Sequence, residues 1–277
     1  MTGSAWRAAL VALVVAAAAS ACSGGSAGPL GTEYEYEEDL TLSLDGSATL
    51  VVNASIPALV ALRGFALPTD LHTRADQLKE QLHAIYQSDQ TRVGRVSTWT
   101  RHGRRYVGVH VAVADVRALS KLAPFAWTSY DLHEEGDQVV YRQTLSRPSA
   151  PGSLSGTALT GNELVAFRLH LPARIRFQNS RYLNRDESRP ASRGNILMWE
   201  QRLADRLQGQ PIAYAEDRKP DVMEVRMDRE SILYRTLWLF SIAFVAALIV
   251  LATLIWLTVR RGAKTDAAGP APSSLPR

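Results

Sequence analysis

Cysteine is almost absent: the 277 residues contain one, Cys22. A lone thiol excludes an internal disulfide and any zinc site built on several thiolates, so the folded part must be held by a packed core. Histidine occurs only singly, at His72, His83, His102, His110, His133 and His170, with no His-x-His pair and no His-Glu-x-x-His helix. The spacings of a zinc site are therefore missing, and no metal site is expected. Gly152-Ser153-Leu154-Ser155-Gly156 only approximates the Gly-x-Ser-x-Gly nucleophile turn and has no strand leading into a helix. Charge of one sign is not in excess either. The 31 Lys and Arg against 27 Asp and Glu leave +4, and no Lys/Arg block stands out, which argues against a nucleic-acid partner. No catalytic constellation and no cofactor motif emerges, so neither an enzyme activity nor a cofactor is expected.

What the chain does have is an apolar run near each end. Leu10 to Ala19 follows Arg7 and leads into small residues, the form of a secretory signal peptide over 1–21. Two cleavages compete: Ala19-Ser20-Ala21 fits the Ala-x-Ala rule, and with Cys22 the same residues resemble a bacterial lipobox. Cys22 is thus the candidate lipidation site, ahead of a flexible linker over 22–32 that contains Ser23-Gly24-Gly25-Ser26. Leu237 to Val259 has no charge at all. At about 1.5 Å per residue its roughly 23 residues reach about 34 Å, enough for a hydrocarbon core near 30 Å. Trp238 and Trp256 near its ends and Arg260, Arg261 and Lys264 beyond it complete the pattern of a transmembrane helix. Because a signal peptide exports the segment behind it, a single-pass protein of the cell membrane is expected, its folded part outside and a disordered tail over 260–277 in the cytoplasm.

Between these ends, period-two alternation dominates. Tyr34, Tyr36, Leu40, Leu42 and Leu44 share one parity, and Glu33, Glu35, Glu37 and Asp39 the other. Those acids read as the solvated face of an edge strand rather than a Ca²⁺ site. Asp45-Gly46 turns the chain into a partner strand from Ala48 to Val52. A helix is expected from Thr73 to Gln87, capped by Thr73 with Asp76, then a hairpin from Arg92 to Ala114 turning at His102-Gly103, a short helix from Asp115 to Lys121, and a hairpin turning at Glu135-Gly136-Asp137. The fold class is α+β, antiparallel hairpins with one or two helices plus the C-terminal transmembrane helix. An exported α+β domain covers 33–146; 147–162 is a loop or a boundary; 163–232 is a second β-rich part, in which Met223 to Met227 closes the sheet of Val165 to Leu171 and Ile196 to Glu200.

The order of a lipobox, the hairpin at Asp45-Gly46, Phe167-Arg168-Leu169-His170-Leu171-Pro172, Asn179-Ser180, Gly194-Asn195-Ile196-Leu197-Met198-Trp199 and a terminal apolar helix resembles the LppM-like bacterial lipoproteins. That resemblance implies an α/β domain on the outer face of the membrane, contact with lipids or glycolipids, and no enzyme activity. The chain departs from the pattern in Ala19 and in its Arg-rich loop from Arg181 to Arg193. Candidate lipid- or partner-binding residues are Arg174, Arg176 and Arg181, from the densest basic stretch outside the membrane, and Trp199. The function expected is a binding module for an envelope lipid, a glycolipid or a membrane-protein partner. The alternatives are an envelope-directed hydrolase using Glu134 or Glu135, and a structural subunit packing through Ser241, Ala243, Ala246 and Ala247.

Overall fold

Asp45 and Gly46 reverse the chain because Gly46 adopts φ +93° while the Asp45 carboxylate accepts from the Ser47 amide at 2.9 Å and its hydroxyl at 2.7 Å. The computed structural model describes residues 33–146, 159–181, 183, 192–210, 212 and 222–267. The signal peptide, Cys22, the Gly152–Gly156 serines and the greater part of the Arg181–Arg193 loop lie outside the described residues. The described residues from Glu35 onward form one compact unit. Within it β1 (Tyr34–Leu42) pairs antiparallel with β2 (Ala48–Ser55). A second hairpin, β3 (Thr91–Arg101) and β4 (Arg104–Val113), turns through His102 and Gly103 at φ 50° and 69°. Positive φ at both turn residues matches the twist of the flanking strands. The third hairpin, β5 (Thr128–Glu135) and β6 (Gln138–Leu145), turns at Gly136 with φ 63°.

The helices follow expectation less closely. Helix α1 (Ile56–Arg63) continues directly from β2 and is not expected from the pattern, because its residues Ile56, Pro57, Ala58, Leu59, Ala61 and Leu62 are buried and leave no amphipathic period to read. Its punctuation is nevertheless in the chain: Ser55 accepts from the Ala58 amide at 3.2 Å, Pro57 sits in the first turn, and Gly64 closes the helix at φ 66°. Helix α2 (Ala75–Tyr86) stands where one is expected and buries Leu78, Leu82 and Tyr86, but Thr73 does not cap it. Arg74 occupies the cap position without a side-chain hydrogen bond, and Thr73 belongs to the preceding turn, its carbonyl held by Arg105. The short helix after Asp115 is a 3₁₀ segment, Val116–Lys121, begun by the Asp115 side chain on the Arg117 amide at 2.9 Å.

The remaining elements are β7 (Leu164–His170), β8 (Ala173–Gln178), β9 (Ser192–Arg193), β10 (Ile196–Arg202), α3 (Leu203–Gln208), β11 (Val222–Ser231) and α4 (Ile232–Ala267). The strands make two antiparallel sheets, one ordered β3-β4-β2-β1-β7-β10-β9 and the other β5-β6-β11-β8. With few helices and one long apolar C-terminal helix, the fold is α+β. Strand β11 corrects the expected pairing: it lies between β6 and β8 in the smaller sheet and does not close the sheet of β7 and β10. Strands from both sides of residues 147–162 therefore enter each sheet. One apolar cluster takes Tyr36, Leu50, Val52, Phe167, Leu197 and Trp199 from the larger sheet together with Leu132, Tyr141, Met223, Val225 and Met227 from the smaller one.

Asn179 fastens the sheets where the chain leaves β8 for the edge of β10. Its amide nitrogen donates to the Val222 carbonyl at 2.7 Å, its side-chain oxygen accepts from the Glu224 amide at 2.9 Å, and its main-chain oxygen accepts from the Trp199 indole at 3.0 Å. Orphaning the two β11 groups costs about 1–3 kcal/mol each. Asn179→Ala is expected to lower stability by roughly 2–4 kcal/mol, read as a fall in the urea midpoint at unchanged slope; a loss under about 1 kcal/mol would contradict this role.

Candidate functional site

The acidic parity of β1 is not a solvated edge. β1 is the middle strand of the larger sheet, and Glu35, Glu37 and Glu38 are 5%, 6% and 3% exposed. Each meets an arginine: Glu35 meets Arg104 of β4, Glu37 meets Arg168 of β7 at 2.7 Å, and Glu38 meets Arg63 of α1. Asp39 adds Arg168 at 3.2 Å and His170 at 3.0 Å. Burial pushes the Glu37 carboxyl up, with Arg168 and the Asn53 amide pulling it back. These carboxylates are committed to arginines rather than to a metal ion. They hold strands together, and the surface chemistry of the molecule lies elsewhere.

It lies where the smaller sheet meets α4. Strand β11 passes into the helix with no linker, Ser231 Oγ accepting from the Leu233 amide at 3.1 Å while the Ile232 amide donates to the Pro172 carbonyl at 3.0 Å. Residues Ile232–Arg260 are long and apolar enough to cross a membrane, and no part of their apolar window is covered by the rest of the chain. The helix also continues beyond Val259, as far as Ala267. Ala173 pairs with Ser231 across the junction, so Arg174 and Arg176 follow on β8 at roughly 3 and 10 Å from it at about 3.3 Å per residue. Arg229, Arg235, Tyr234 and Trp238 come from the other side of the junction, and an open cleft of about 610 Å³ is lined by Glu230, Tyr234, Arg235, Trp238 and Leu239. Arg176 pairs with Asp228, Arg229 with Glu134, and Arg235 with Glu230 at 3.5 Å. With all three arginines exposed, and Glu134 and Glu230 as well, such pairs are worth about 0–1 kcal/mol and exchange readily for other anions.

The four residues singled out from sequence separate into two pairs. Arg174 and Arg176 stand together, exposed, on β8. Arg181 lies beyond Asn179, where its backbone pairs with Trp199 at the edge of the larger sheet. Trp199 itself is 1% exposed and packed in the core. In the sequence Arg229 and Arg235 are only charges flanking the apolar run; what sets the Arg229 segment opposite Arg174 is the β8–β11 pairing, for which no local signal exists. Of the carboxylates considered for hydrolysis, Glu134 is held by Arg229, and Glu135 lies at the hairpin turn 3.8 Å from His133.

Beneath the arginines, Glu224 lies between Arg142 and Arg226, at 2.9 Å from each. Burial alone would raise its carboxyl, but the hydrogen bonds from both guanidinium groups outweigh burial and hold it below the ordinary value of 4.5. A depressed folded value means a contribution present above the unfolded value and lost as pH falls through the folded one. In acid titrations of stability below about pH 4.5, Glu224→Gln is therefore expected to give a shallower fall than wild type and a lower starting stability at neutral pH. Parallel curves would refute it.

No family model matches the chain, and no curated protein matches it. Among solved structures it is similar to the folded domain of the LppM protein of Mycobacterium tuberculosis, determined by NMR, with 13% sequence identity and a TM-score of 0.35 over 74% of this chain and 94% of that one. The likeness is a weak structural relation between two folded domains.

Proposed function

We propose that the chain is a membrane-anchored binding module of the cell envelope, which uses the arginines at the sheet–helix junction to meet an anionic lipid or glycolipid head group or a membrane partner. In this reading α4 spans the bilayer, the two sheets lie outside, the tail beyond the helix is cytoplasmic, and acylation of Cys22 supplies a second tether. No catalytic role is assigned to any residue.

The observation that carries the reading is the unbroken passage of β11 into an uncovered apolar helix. Without a linker, the end of the smaller sheet stays within a few residues of the point where the chain enters hydrocarbon. Arg174, Arg176, Arg229 and Arg235 then lie at head-group depth, where each cation near an anionic surface is worth about 1 kcal/mol. Tyr234 and Trp238 suit the same depth, their rings apolar and their polar tips wet. The cleft at the foot of the helix offers a place for one head group beside Arg235.

Two measurements test this. In cell fractionation the intact protein is expected in the membrane fraction and resistant to alkaline carbonate. Removing residues 232–277 should release it only when Cys22→Ser is added, and recovery of the unaltered chain as a soluble protein would overturn the reading. In native mass spectrometry of the full chain from neutral detergent, dioleoyl phosphatidylglycerol should be retained in preference to dioleoyl phosphatidylcholine. Replacing Arg174 and Arg176 by Gln should weaken that preference about fivefold per arginine. Equal retention of the two lipids by the unaltered chain would refute the head-group role.

A further inference from the structure

A second group of arginine and aromatic side chains is enclosed where α1, α2, β1 and the turn leading into β5 meet. Arg63, the last residue of α1, is 1% exposed in its side chain, and its guanidinium carbon lies 3.9 Å from the Trp127 ring centroid and 5.1 Å from that of Tyr36. One guanidinium nitrogen, Nη2, donates to Glu38 and to the Tyr36 hydroxyl, and that hydroxyl donates to Glu38 in turn. The other two nitrogens, Nε and Nη1, meet no acceptor among the described residues, nor do Trp127 Nε1 and Tyr86 Oη. Trp127 and Tyr86 are 9% and 1% exposed. Burial pushes the Tyr86 hydroxyl up to about 12, with the nearby Arg63 charge pulling against it, so at neutral pH it keeps its proton and can donate. Arg206, 2% exposed, adds a second guanidinium 5.8 Å from the Trp127 ring.

Arg63 Nε and Nη1 and Trp127 Nε1 can only donate, the protonated Tyr86 hydroxyl can donate as well, and the Glu38 carboxylate beside them is already engaged. Buried donors without acceptors are rare in native proteins because each forfeits its hydration. A neutral polyol would bring hydroxyl donors of its own, whereas an anionic oxygen brings acceptors only and answers the positive charge. We propose that this enclosed cluster is a binding site for a single oxyanion, a carboxylate or a phosphate, that accepts hydrogen bonds from Arg63, Tyr86 and Trp127. The proposal rests on the lipid-binding reading only for the source of the oxyanion, an amphiphile or a free ion.

The test is native mass spectrometry and thermal melting of the full chain in dodecyl maltoside, with dodecyl phosphate and inorganic phosphate as probes. Tyr86→Phe deletes one orphaned hydroxyl and nothing else, and Trp127→Phe keeps an aromatic ring beside Arg63 while deleting the indole N–H. Without a probe, Tyr86→Phe is expected to melt no lower than wild type, while its dissociation constant for the bound probe rises about tenfold, as for one lost hydrogen bond to a charged group. Trp127→Phe should weaken binding in the same direction. Tyr86-sensitive binding of dodecyl phosphate alone supports the site with an amphiphile as occupant, and the same sensitivity with inorganic phosphate supports it with a free anion. A Tyr86→Phe chain that melts lower and binds as wild type assigns the hydroxyl to an ordered water and overturns the proposal; so does a wild-type chain that takes up neither probe. Probe binding lost on replacing Arg174 and Arg176 but not Tyr86 overturns this site and leaves the junction reading standing. A Tyr86-sensitive probe alongside equal retention of the two phospholipids overturns the junction reading and leaves this site.

Discussion

Three carboxylates buried in the middle strand of the larger sheet set the constraint that the rest of the domain satisfies. Taking a carboxylate out of water costs several kcal/mol unless a cation and hydrogen bonds accompany it. Glu35, Glu37 and Glu38 of β1 obtain theirs from three different directions, β4, β7 and α1. A register slip of β1 by one residue would exchange the two faces and leave charges facing apolar side chains. The pairs thus select one arrangement of neighbours, and loss of any arginine would strand a buried anion at a cost of about 3–5 kcal/mol.

The same requirement explains the two poles of the molecule. On one face of β1, Glu38 brings Arg63 into the aromatic interior, where it lies over the Tyr36 and Trp127 rings, which in turn pack on Phe167. The interior is therefore polar at its centre, an arrangement suited to holding an oxyanion but costly as mere packing. At the junction with α4, by contrast, the arginines are paired loosely at the surface, where solvent screens them. One set of guanidinium groups is enclosed; the other is exposed and exchangeable.

Local patterns make much of the fold legible. Alternation between Tyr34 and Val113 and the turn residues Asp45-Gly46 and His102-Gly103 locate two hairpins, because a two-residue turn with positive φ leaves few choices of side chain or register. The hydrophobic stripe of Leu78 and Leu82 locates α2. Helix α1 escapes because a helix buried on nearly every side has no stripe, although Ser55, Pro57 and Gly64 mark its ends. The acids of β1 mislead for a related reason: alternation tells which residues share a face, and cannot tell whether that face meets water or another part of the chain. At the junction, Arg174 and Arg176 stand out by density of charge, while their nearness to Arg229 and Arg235 depends on strand pairing across some fifty intervening residues.

The sequence by itself determined the hairpins, the α+β class and the long C-terminal helix with its uncharged run, since each arises from side-chain periodicity or composition within one segment. Tertiary structure alone decided that β7 and β10 join β1 while β8 and β11 join β6, that the β1 carboxylates lie inside, and that Arg63 lies against Trp127. Those outcomes turn on which distant cation reaches which buried anion, a long-range balance of desolvation and pairing that no local pattern encodes.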